Sequence, residues 1–381
     1  MYKFSNETVF RGHPDKVCDQ ISDAILSAYL RGDKMSRCAI EVVGGKETIF
    51  ITGEVTSKAK VNHAEIALRV LHDVGYSNWG TYQVIDNVGK QSPDIALGTN
   101  EQVGGAGDQG MMFGYACDDT PKHLPVAQCI LQELAMQYND FIVFRGHLDK
   151  STKYLPDGKA QITGVYDDDG KLLSIETFVI SFQNCAENKK ELLTMKDEIV
   201  ATAREICAKY NIEVDNFIIN NTGAFTVGGF EGDAGLTGRK IIVDTYQGFA
   251  RHGGGAFSGK DPTKVDRSGA YMARYIAKSI IEAGLAKKCE VQLSYVIGGK
   301  EPLGLYINTF GTGIESDTNL ASYIKQRCDL TPAGIRKSLG LLECNYEVLA
   351  RFGHFGHHNS WETDSDLANW LRDKVGSEEV R

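Results

Sequence analysis

The 381-residue chain carries a net charge of −9, is 42% hydrophobic and 24% charged, and contains 41 glycines but 8 prolines. This composition excludes a disordered chain, a coiled coil and a collagen, and the length favours two or three folded domains. The acidic balance argues against general nucleic-acid binding, because no excess of positive charge surrounds the chain.

Targeting and redox signals are weak along the whole sequence. No apolar run approaches the ~18 residues that a membrane helix needs, and the first ten residues show no secretory pattern. The nine cysteines are scattered without zinc-type spacing, which is typical of free thiols in a reducing compartment. We therefore expect a cytoplasmic protein without a membrane span.

The predicted elements repeat one pattern three times, a helix followed by two strands and then further elements. The first block has helices and strands at Asp15–Leu30, Cys38–Val43, Thr48–Val55, Asn62–Asp73 and Tyr82–Ile85. The second has them at Pro125–Tyr138, Ala160–Tyr166, Lys171–Phe182, Lys189–Lys209 and Phe217–Asn220. The third has them at Asp266–Ala283, Glu290–Ile297, Pro302–Phe310, Thr318–Arg327 and Thr331–Leu341, after a further strand predicted at Ile241–Tyr246.

Short glycine-containing turns join the paired strands, which favours antiparallel hairpins. Helices alternate with hairpins and not with single strands, which argues against a doubly wound sheet. The sequence therefore predicts an α+β fold of three structurally related domains, each with a mixed or antiparallel sheet packed on helices. We expect these domains at residues 1–98, 105–225 and 228–375, with boundaries that can interleave along the chain.

Two glycine-rich segments match nucleotide-binding motifs only in part. Gly105–Gly110 fits GxGxxG, but no apolar strand precedes it and no clear helix follows it. Gly254–Lys260 fits the start of a phosphate-binding loop, but Asp261 stands where a magnesium-binding Ser or Thr belongs. The second segment is either a solvated surface loop or an anion site, and its glycines and lysines favour the anion site.

A second anion site is predicted where the first helix begins. Pro14 suits the first turn of a helix, which places His13 and Lys16 at its positive end. Asp15 either compensates the helix dipole or ligates Mg²⁺ together with substrate phosphates. From Arg239 to Arg267, six Lys or Arg residues stand against three Asp, which favours a small and highly anionic ligand.

The segments Gly12–Lys16, Gly105–Gly110 and Gly253–Ser268 together resemble the S-adenosylmethionine synthetase (methionine adenosyltransferase) family. Gly235–Tyr246 and Gly353–Gly356 extend the resemblance over nearly the whole chain. It implies that the sulfur of L-methionine attacks C5′ of ATP and expels triphosphate, which is then cleaved to pyrophosphate and phosphate. It also implies two Mg²⁺ per site, one K⁺ per subunit, and a dimer of dimers with active sites at the dimer interface.

The resemblance assigns site roles residue by residue. It implies catalytic roles for His13, Lys159, Arg239, Lys240, Lys260 and Lys264. It implies ATP contacts at His13, Asp157, Lys159, Ala224, Phe225, Asp233, Arg239, Lys240, Ala256 and Lys260. Methionine contacts are implied at Glu54, Gln91, Asp108, Asp233 and Lys264. Metal ligands are implied at Asp15 and Asp266 for Mg²⁺ and at Glu41 for K⁺.

Three segments depart from the family pattern. Phe10-Arg11 replaces the usual Ser-Glu before the first motif, and Ala224 replaces an arginine, so that only a backbone contact to adenine is implied there. The segment Ile95–Gly104, which corresponds to a mobile active-site loop of the family, is short. These departures bear on substrate affinity and on the rate of loop closure.

Two alternative functions remain open from the sequence. One is a phosphotransferase or hydrolase that acts on ATP or polyphosphate with the same anion site. The other is a degenerate nucleotide-binding subunit, against which the presence of His13, Asp15, Lys159, Lys260 and Asp266 argues.

Overall fold

A computed structural model describes residues 1–91, 104–148 and 152–378, and within these ranges eleven strands form three sheets. The strands are β1 (Tyr2–Val9), β2 (Arg37–Gly45), β3 (Thr48–Thr56), β4 (Gln83–Gly89), β5 (Gly110–Cys117), β6 (Tyr154–Tyr166), β7 (Leu172–Asn184), β8 (Val214–Ile219), β9 (Gly235–Leu236), β10 (Lys288–Tyr295) and β11 (Gly304–Asn308). The α-helices are α1 (Pro14–Gly32), α2 (His63–Val74), α3 (Val126–Leu148), α4 (Lys189–Lys209), α5 (Val265–Glu282), α6 (Asp317–Arg327), α7 (Pro332–Ser338), α8 (Ser360–Thr363) and α9 (Asp366–Glu378).

The sheets have the strand orders β4-β3-β2-β9, β1-β6-β7-β8 and β11-β10-β5. Each contains one antiparallel hairpin of consecutive strands, β2–β3, β6–β7 or β10–β11. In the first two sheets, helix α2 or α4 leads from the hairpin to a parallel strand, β4 or β8. The predicted α+β fold of three related units with hairpin sheets and helices is confirmed.

Each sheet also takes one strand from a distant part of the chain. Strand β1 pairs antiparallel with β6, from Tyr2 opposite Tyr166 to Val9 opposite Lys159. Strand β5 pairs with β10, and the short β9 pairs with β2. The three units therefore interleave, and this exchange carries the start of α1 from the edge of the second sheet towards the first.

The sequence did not indicate β1, β5 or the two-residue β9, and it predicted one strand wrongly. In β1 the inward positions include the polar residues Asn6 and Thr8, which hides the alternation of a half-buried strand. The segment Ile241–Tyr246 forms turns, because its backbone bonds locally, as in the bond from the Asp244 N–H to the Lys240 carbonyl at 2.9 Å. The predicted loop Ile95–Gly104 lies outside the described residues apart from Gly104.

Helices α1 and α5 are buried along nearly their whole lengths. Helix α1 packs on β2, α2 and β9, while α5 packs on β5 and β10. Both helices begin at the site described below, so a rigid core fixes the side chains of their first turns. None of the helices in the described ranges combines the length and apolar character that crossing a membrane requires.

Candidate active site

His13 caps the N-terminus of α1, and its Nδ1 accepts a hydrogen bond from the Asp15 N–H at 3.3 Å. A Cβ on the preceding Gly12 would lie 2.4 Å from Pro156 Cβ, so only glycine fits at this turn. Burial lowers the pKa of His13 to about 3, and the Lys240 ammonium acts in the same direction. The imidazole is therefore neutral near pH 7, and its proton lies on Nε2, where it can donate to an anion.

Asp15 is buried at the same helix start, and protein groups already engage both of its carboxylate oxygens. Its Oδ1 accepts the Leu236 N–H at 2.9 Å, and its Oδ2 accepts the Lys240 ammonium at 2.6 Å. Arg239 Nε lies 3.6 Å from Oδ1. Burial works to raise the pKa of Asp15, but the bonds from Lys240 and Leu236 outweigh it and hold this pKa below its ordinary value.

Lys16 differs from its predicted position in an open anion site. It is buried, its Nζ lies 3.0 Å from Asp19 Oδ2, and it donates a second hydrogen bond to Asp244. Burial opposes its charge, but the two carboxylates prevail and raise the pKa of Lys16 to about 12. Lys16 therefore ties α1 to the turns after Lys240 and does not face a ligand.

Strand β6 places Asp157 and Lys159 near the start of α1, since Lys159 pairs with Val9 and the Gly12 N–H donates to the Pro156 carbonyl. Asp157 Oδ2 accepts the Gly229 N–H at 2.7 Å, and burial raises the pKa of Asp157 to about 6. Lys159 is exposed, lies opposite Val9 in the sheet, and contributes to the lowered pKa of His13. We call the following group the His13 cluster: His13, Asp15, Asp157, Lys159, Arg239 and Lys240.

The other predicted adenosine contacts, Ala224, Phe225 and Asp233, lie on either side of Gly229, whose N–H donates to Asp157. The Phe225 carbonyl accepts the Asn184 N–H at 2.8 Å, which fixes this backbone at the end of β7. Ala224 is exposed beside it. Asp233 is also exposed, and its N–H donates to the Gly229 carbonyl at 3.1 Å, so a short turn links it to the Asp157 contact.

A second group forms where α5 begins. Lys264 is the residue before the first turn of α5, Asp266 lies in that turn, and Lys260 Nζ is 2.5 Å from Asp266 Oδ2. A Cβ on Gly255 would lie 2.3 Å from Asp266 Cγ, so the glycine loop passes directly against this carboxylate. We call Lys260, Lys264, Asp266 and Glu41 the Lys260 cluster.

Glu41 is the one member of this cluster that lies on β2, and its side chain is half-buried. Burial raises the pKa of Glu41, while the nearby charge of Lys260 acts to lower it. The loop before Lys260 runs along the edge of β2, where the Ile40 N–H donates to the Gly259 carbonyl at 3.1 Å. Among the described residues Glu41 forms no ion pair, which leaves its carboxylate available to a cation.

The predicted methionine contacts lie on three different strand ends. Glu54 pairs with Ala39 in the β2–β3 register, which places it on the same sheet face as Glu41. Gln91 follows β4, and Asp108 is exposed two residues before β5. Within the described ranges, no hydrogen bond or ion pair joins these three side chains to the His13 cluster.

Ala256 links the glycine loop to the segment that carries Arg239 and Lys240. A Cβ on Gly238 would lie 2.6 Å from Ala256 Cβ, so the two backbones are in close approach. Across the described part of the chain, the His13 and Lys260 clusters still share no hydrogen bond or ion pair. Two of the six basic residues counted from Arg239 to Arg267 also face elsewhere, since Arg251 pairs with Glu290 at 2.6 Å and Arg267 is fully buried.

The two residues before the first motif are structural in this chain. Phe10 is fully buried and stacks on Tyr138 with ring centroids 4.3 Å apart. Arg11 points away from the site, where its Nε donates to Gln20 Oε1 at 2.8 Å. The Phe10-Arg11 departure therefore alters the packing behind His13 and not the ligand-facing surface.

Asp15 and Asp266 could bind a hard cation such as Mg²⁺ only if a bound substrate supplied further oxygen ligands. Among the described residues, no three His, Cys, Asp or Glu side chains converge as a metal site would require. Asp15 and Asp266 nevertheless present carboxylate oxygens at two helix starts, and the backbone of Gly255 lies directly against Asp266, where a side chain would collide with the carboxylate. One or two carboxylates completed by substrate phosphates is the usual way in which proteins hold Mg²⁺.

Sequence reasoning missed the groups that hold this site in place, notably Asp23, Asp244 and Arg267. Asp23 and Arg267 lie in predicted helices and Asp244 in a segment predicted as a strand, and nothing in the sequence pattern showed that these three charges are buried. A buried charge needs a partner, and each of these has one.

The chain is similar to known proteins over nearly its whole length. Family models for the N-terminal, central and C-terminal domains of S-adenosylmethionine synthetase match residues 1–93, 103–225 and 227–363. The S-adenosylmethionine synthase of Thermosynechococcus vestitus is 45% identical over 98% of this chain and 96% of its own length. Those of Prochlorococcus marinus and Trichormus variabilis are each 44% identical, over 96% and 98% of this chain and 96% and 97% of their own lengths. The chain therefore belongs to the S-adenosylmethionine synthetase family.

Proposed function

We propose that the chain transfers the adenosyl group of ATP to the sulfur of L-methionine and then cleaves the released triphosphate to pyrophosphate and phosphate. Family membership over all three domains supports this function. The observation that carries it is the start of α1, where a neutral His13 stands beside the paired Lys240 and Asp15. Such a site stabilises a leaving polyphosphate without needing a base.

The first step requires alignment and charge stabilisation. A thioether carries no proton, so no residue has to remove one before the sulfur attacks C5′. Negative charge grows on the triphosphate as the C5′–O bond breaks, and fixed donors at this point lower the barrier. His13 Nε2–H is one such donor, and it stays in place because Nδ1 is held by the Asp15 N–H.

The cations of both clusters serve the triphosphate. Lys159, Arg239 and Lys240 approach from the His13 cluster, while Lys260 approaches from the glycine loop together with Ala256. Their charges match the chemistry because a triphosphate leaving group is far more anionic than the substrate methionine. Asp157, Ala224, Phe225 and Asp233 take the adenosine end, with the backbone of Ala224 and Phe225 against adenine.

Methionine is held by Glu54, Gln91, Asp108, Asp233 and Lys264 in this proposal. Its ammonium group suits the carboxylates of Glu54, Asp108 and Asp233, and its carboxylate suits Lys264. The opposite charges of the amino acid thus select its orientation and turn its uncharged sulfur towards ATP.

Asp15 and Asp266 would hold Mg²⁺, two ions per site, with triphosphate oxygens as further ligands. Bound Mg²⁺ supplies positive charge to those oxygens. Glu41 would hold one K⁺ per subunit, because its half-buried carboxylate lies beside the site without an ion pair among the described residues. The lysines paired with Asp15 and Asp266 would then turn to phosphate.

We further propose a cytoplasmic dimer of dimers with active sites between two subunits. This arrangement is supported by the finding that, among the described residues, no hydrogen bond or ion pair joins the His13 and Lys260 clusters, although their predicted roles concern one substrate. An isologous dimer brings the two clusters of opposite subunits together twice, which produces two equal sites.

A product assay tests the function directly. Purified chain is incubated with ATP, L-methionine, Mg²⁺ and K⁺, with a parallel sample lacking methionine, and the products are identified by mass spectrometry. Methionine-dependent S-adenosylmethionine with equal amounts of pyrophosphate and phosphate is the expected result. ATP cleavage without S-adenosylmethionine would indicate a phosphotransferase or hydrolase, and ATP binding without turnover would indicate a degenerate subunit.

A further inference from the structure

A fully buried ion pair joins the first and third units next to the glycine loop. Asp23 on α1 and Arg267 on α5 are both inaccessible to solvent. Arg267 Nη1 donates to Asp23 Oδ1 at 2.7 Å, and Nη2 donates to Oδ2 at 2.6 Å. A buried pair of this kind contributes little to stability compared with apolar packing, so its presence calls for another explanation.

The same two side chains also hold the backbone of the loop that carries Lys260. Asp23 Oδ1 accepts the Gly259 N–H at 2.9 Å. Arg267 Nη1 donates to the Phe257 carbonyl at 2.9 Å and to the Lys260 carbonyl at 3.1 Å. One ion pair thus binds three backbone groups within four successive residues.

The loop also lies against β2, where the Ile40 N–H donates to the Gly259 carbonyl at 3.1 Å, and the turn at Gly259 leaves little room for another conformation. Gly259 has φ of +80°, and a Cβ there would lie 2.0 Å from the Ile40 carbonyl oxygen. Lys260 directly follows this turn, and its ammonium contacts Asp266. A shift of the Asp23–Arg267 pair would therefore move the Lys260 backbone, and with it the position of the ammonium.

The guanidinium has a second anchor, which fixes its plane. Arg267 Nε donates to the Tyr271 hydroxyl at 3.0 Å, and that hydroxyl lies 2.7 Å from His354 Nδ1. Since the tyrosine oxygen already accepts from Arg267, its own proton goes to His354, which is neutral because burial lowers its pKa well below the ordinary value. Arg267 also lies over the ring of Tyr346, 4.3 Å from the ring centroid.

We propose that Asp23 and Arg267 are positioning residues that aim the Lys260 ammonium, with Tyr271 and His354 orienting Arg267. This inference rests on the proposed role of Lys260 at the triphosphate, and it assigns a task to four residues that touch no substrate. Displacement of a charged group by about 1 Å can lower turnover by about a hundredfold. Buried residues that hold Lys260 in position can therefore have a measurable effect on kcat.

Helix α5 offers a matched control two turns further along. Arg274 forms a bidentate pair with Glu362 at 2.9 and 2.8 Å, and it also binds three backbone carbonyls. Those carbonyls belong to Tyr115, Lys122 and His123, which lie outside the glycine loop. A purely structural role predicts equal consequences for Asp23→Asn and Glu362→Gln.

The test compares kcat and KM of these two variants in the full-length protein, per amount of folded chain. We expect Asp23→Asn to lower kcat by about tenfold or more with little change in KM for methionine, and Glu362→Gln to stay within about twofold of wild type. Equal kcat values in the two variants would overturn the inference. If Asp23→Asn does not fold, Tyr271→Phe is compared with Tyr275→Phe on the same helix. A kcat for Tyr271→Phe below that of Tyr275→Phe supports the inference, and equal values overturn it.

A double-mutant cycle identifies Lys260 as the residue through which the pair acts. In single-turnover assays, Asp23→Asn should cause little further loss when Lys260 is already replaced by Met. A full additional loss in the Lys260→Met background would show a route that bypasses Lys260 and would overturn the inference. Wild-type turnover of Lys260→Met alone would remove the proposed role of Lys260, and this inference with it.

Discussion

The Lys240 ammonium lies 2.6 Å from Asp15 Oδ2, and Lys260 stands in the same relation to Asp266 at 2.5 Å. Each carboxylate proposed to bind Mg²⁺ is thus neutralised by a lysine proposed to bind triphosphate. A metal ion and an ammonium compete for the same carboxylate oxygen. Metal binding would release each lysine towards the phosphates, which couples the two ligands at both helix starts.

Replacing Lys240 with Met should therefore strengthen metal binding in the absence of nucleotide. We expect about a tenfold tighter dissociation constant for Mn²⁺ followed by electron paramagnetic resonance, which is the scale of a partly buried ion pair. Lys325→Met, on the exposed side of α6, is the control and should leave the constant unchanged. Equal Mn²⁺ affinity in Lys240→Met and wild type would mean that Lys240 and metal do not compete for Asp15.

Replacing Lys260 with Met should lower turnover far more than it weakens methionine binding. Its charge counts most as the triphosphate leaves, so we expect kcat to fall by about a hundredfold while the dissociation constant for methionine changes little. Steady-state kinetics and calorimetry of methionine binding measure the two effects. Unchanged turnover would refute the role assigned to Lys260.

His13 should act as a neutral donor at every working pH. Burial lowers its pKa to about 3 in the free protein, so protonation cannot remove activity between pH 5 and 9. His13→Asn should lower kcat/KM by about a hundredfold, while the shape of the pH profile stays that of wild type. An acidic limb near pH 6.5 that disappears in His13→Asn would contradict the neutral donor.

The sequence predicted the hairpins and the long helices well because their signals are local. Helix α4 was predicted with the bounds observed, Lys189–Lys209, and its Asn188 cap lies directly before the run. The exchange of β1, β5 and β9 between units could not be predicted, because strand pairing across more than a hundred residues leaves no periodic trace. The prediction of a strand at Ile241–Tyr246 was wrong for a related reason. An apolar run indicates burial, but it does not show whether a neighbouring strand is available to pair with it.

The residues of the candidate site also divide into those that the sequence predicted and those whose positions it could not predict. Motif residues such as His13, Asp15, Lys260 and Asp266 were predicted from residue type and from the resemblance. The positions of Lys16 and Arg267 were not, because their charges meet carboxylates on distant helices and turns. Composition counts a lysine as available charge, whereas burial decides whether a ligand can reach it.

Asp157→Asn should raise the stability of the chain at neutral pH. Burial raises the pKa of Asp157 from 3.8 to about 6, so ionisation in the folded state costs free energy that the unfolded state does not bear. The gain from the amide should grow from about pH 4 to about pH 6 and then stay constant at about 3 kcal/mol. The amide oxygen can still accept the Gly229 N–H.

Urea unfolding of Asp157→Asn and wild type between pH 5 and 8 measures this gain. Asp233→Asn is the matched control, because that carboxylate is exposed and its replacement should have no comparable effect. A variant that is less stable than wild type at pH 7.5 would show that the Asp157 charge supports the fold.

Hybrid dimers should recover activity if each site takes one cluster from each subunit. His13→Asn inactivates the His13 cluster and Lys260→Met inactivates the Lys260 cluster. In a mixed dimer of these chains, one site carries both substitutions and the other carries neither. Random pairing makes half of the dimers mixed, so co-refolded chains should regain about a quarter of wild-type activity.

The matched control pairs two substitutions from one cluster, His13→Asn with Lys240→Met. In that hybrid both sites keep a defective His13 cluster, so no activity should return. Recovery is measured as S-adenosylmethionine formed per dimer after co-refolding, with each variant refolded alone for reference. If His13→Asn with Lys260→Met recovers no more than this control, both clusters act within one chain. The triphosphate would then be bound by the two clusters of a single subunit.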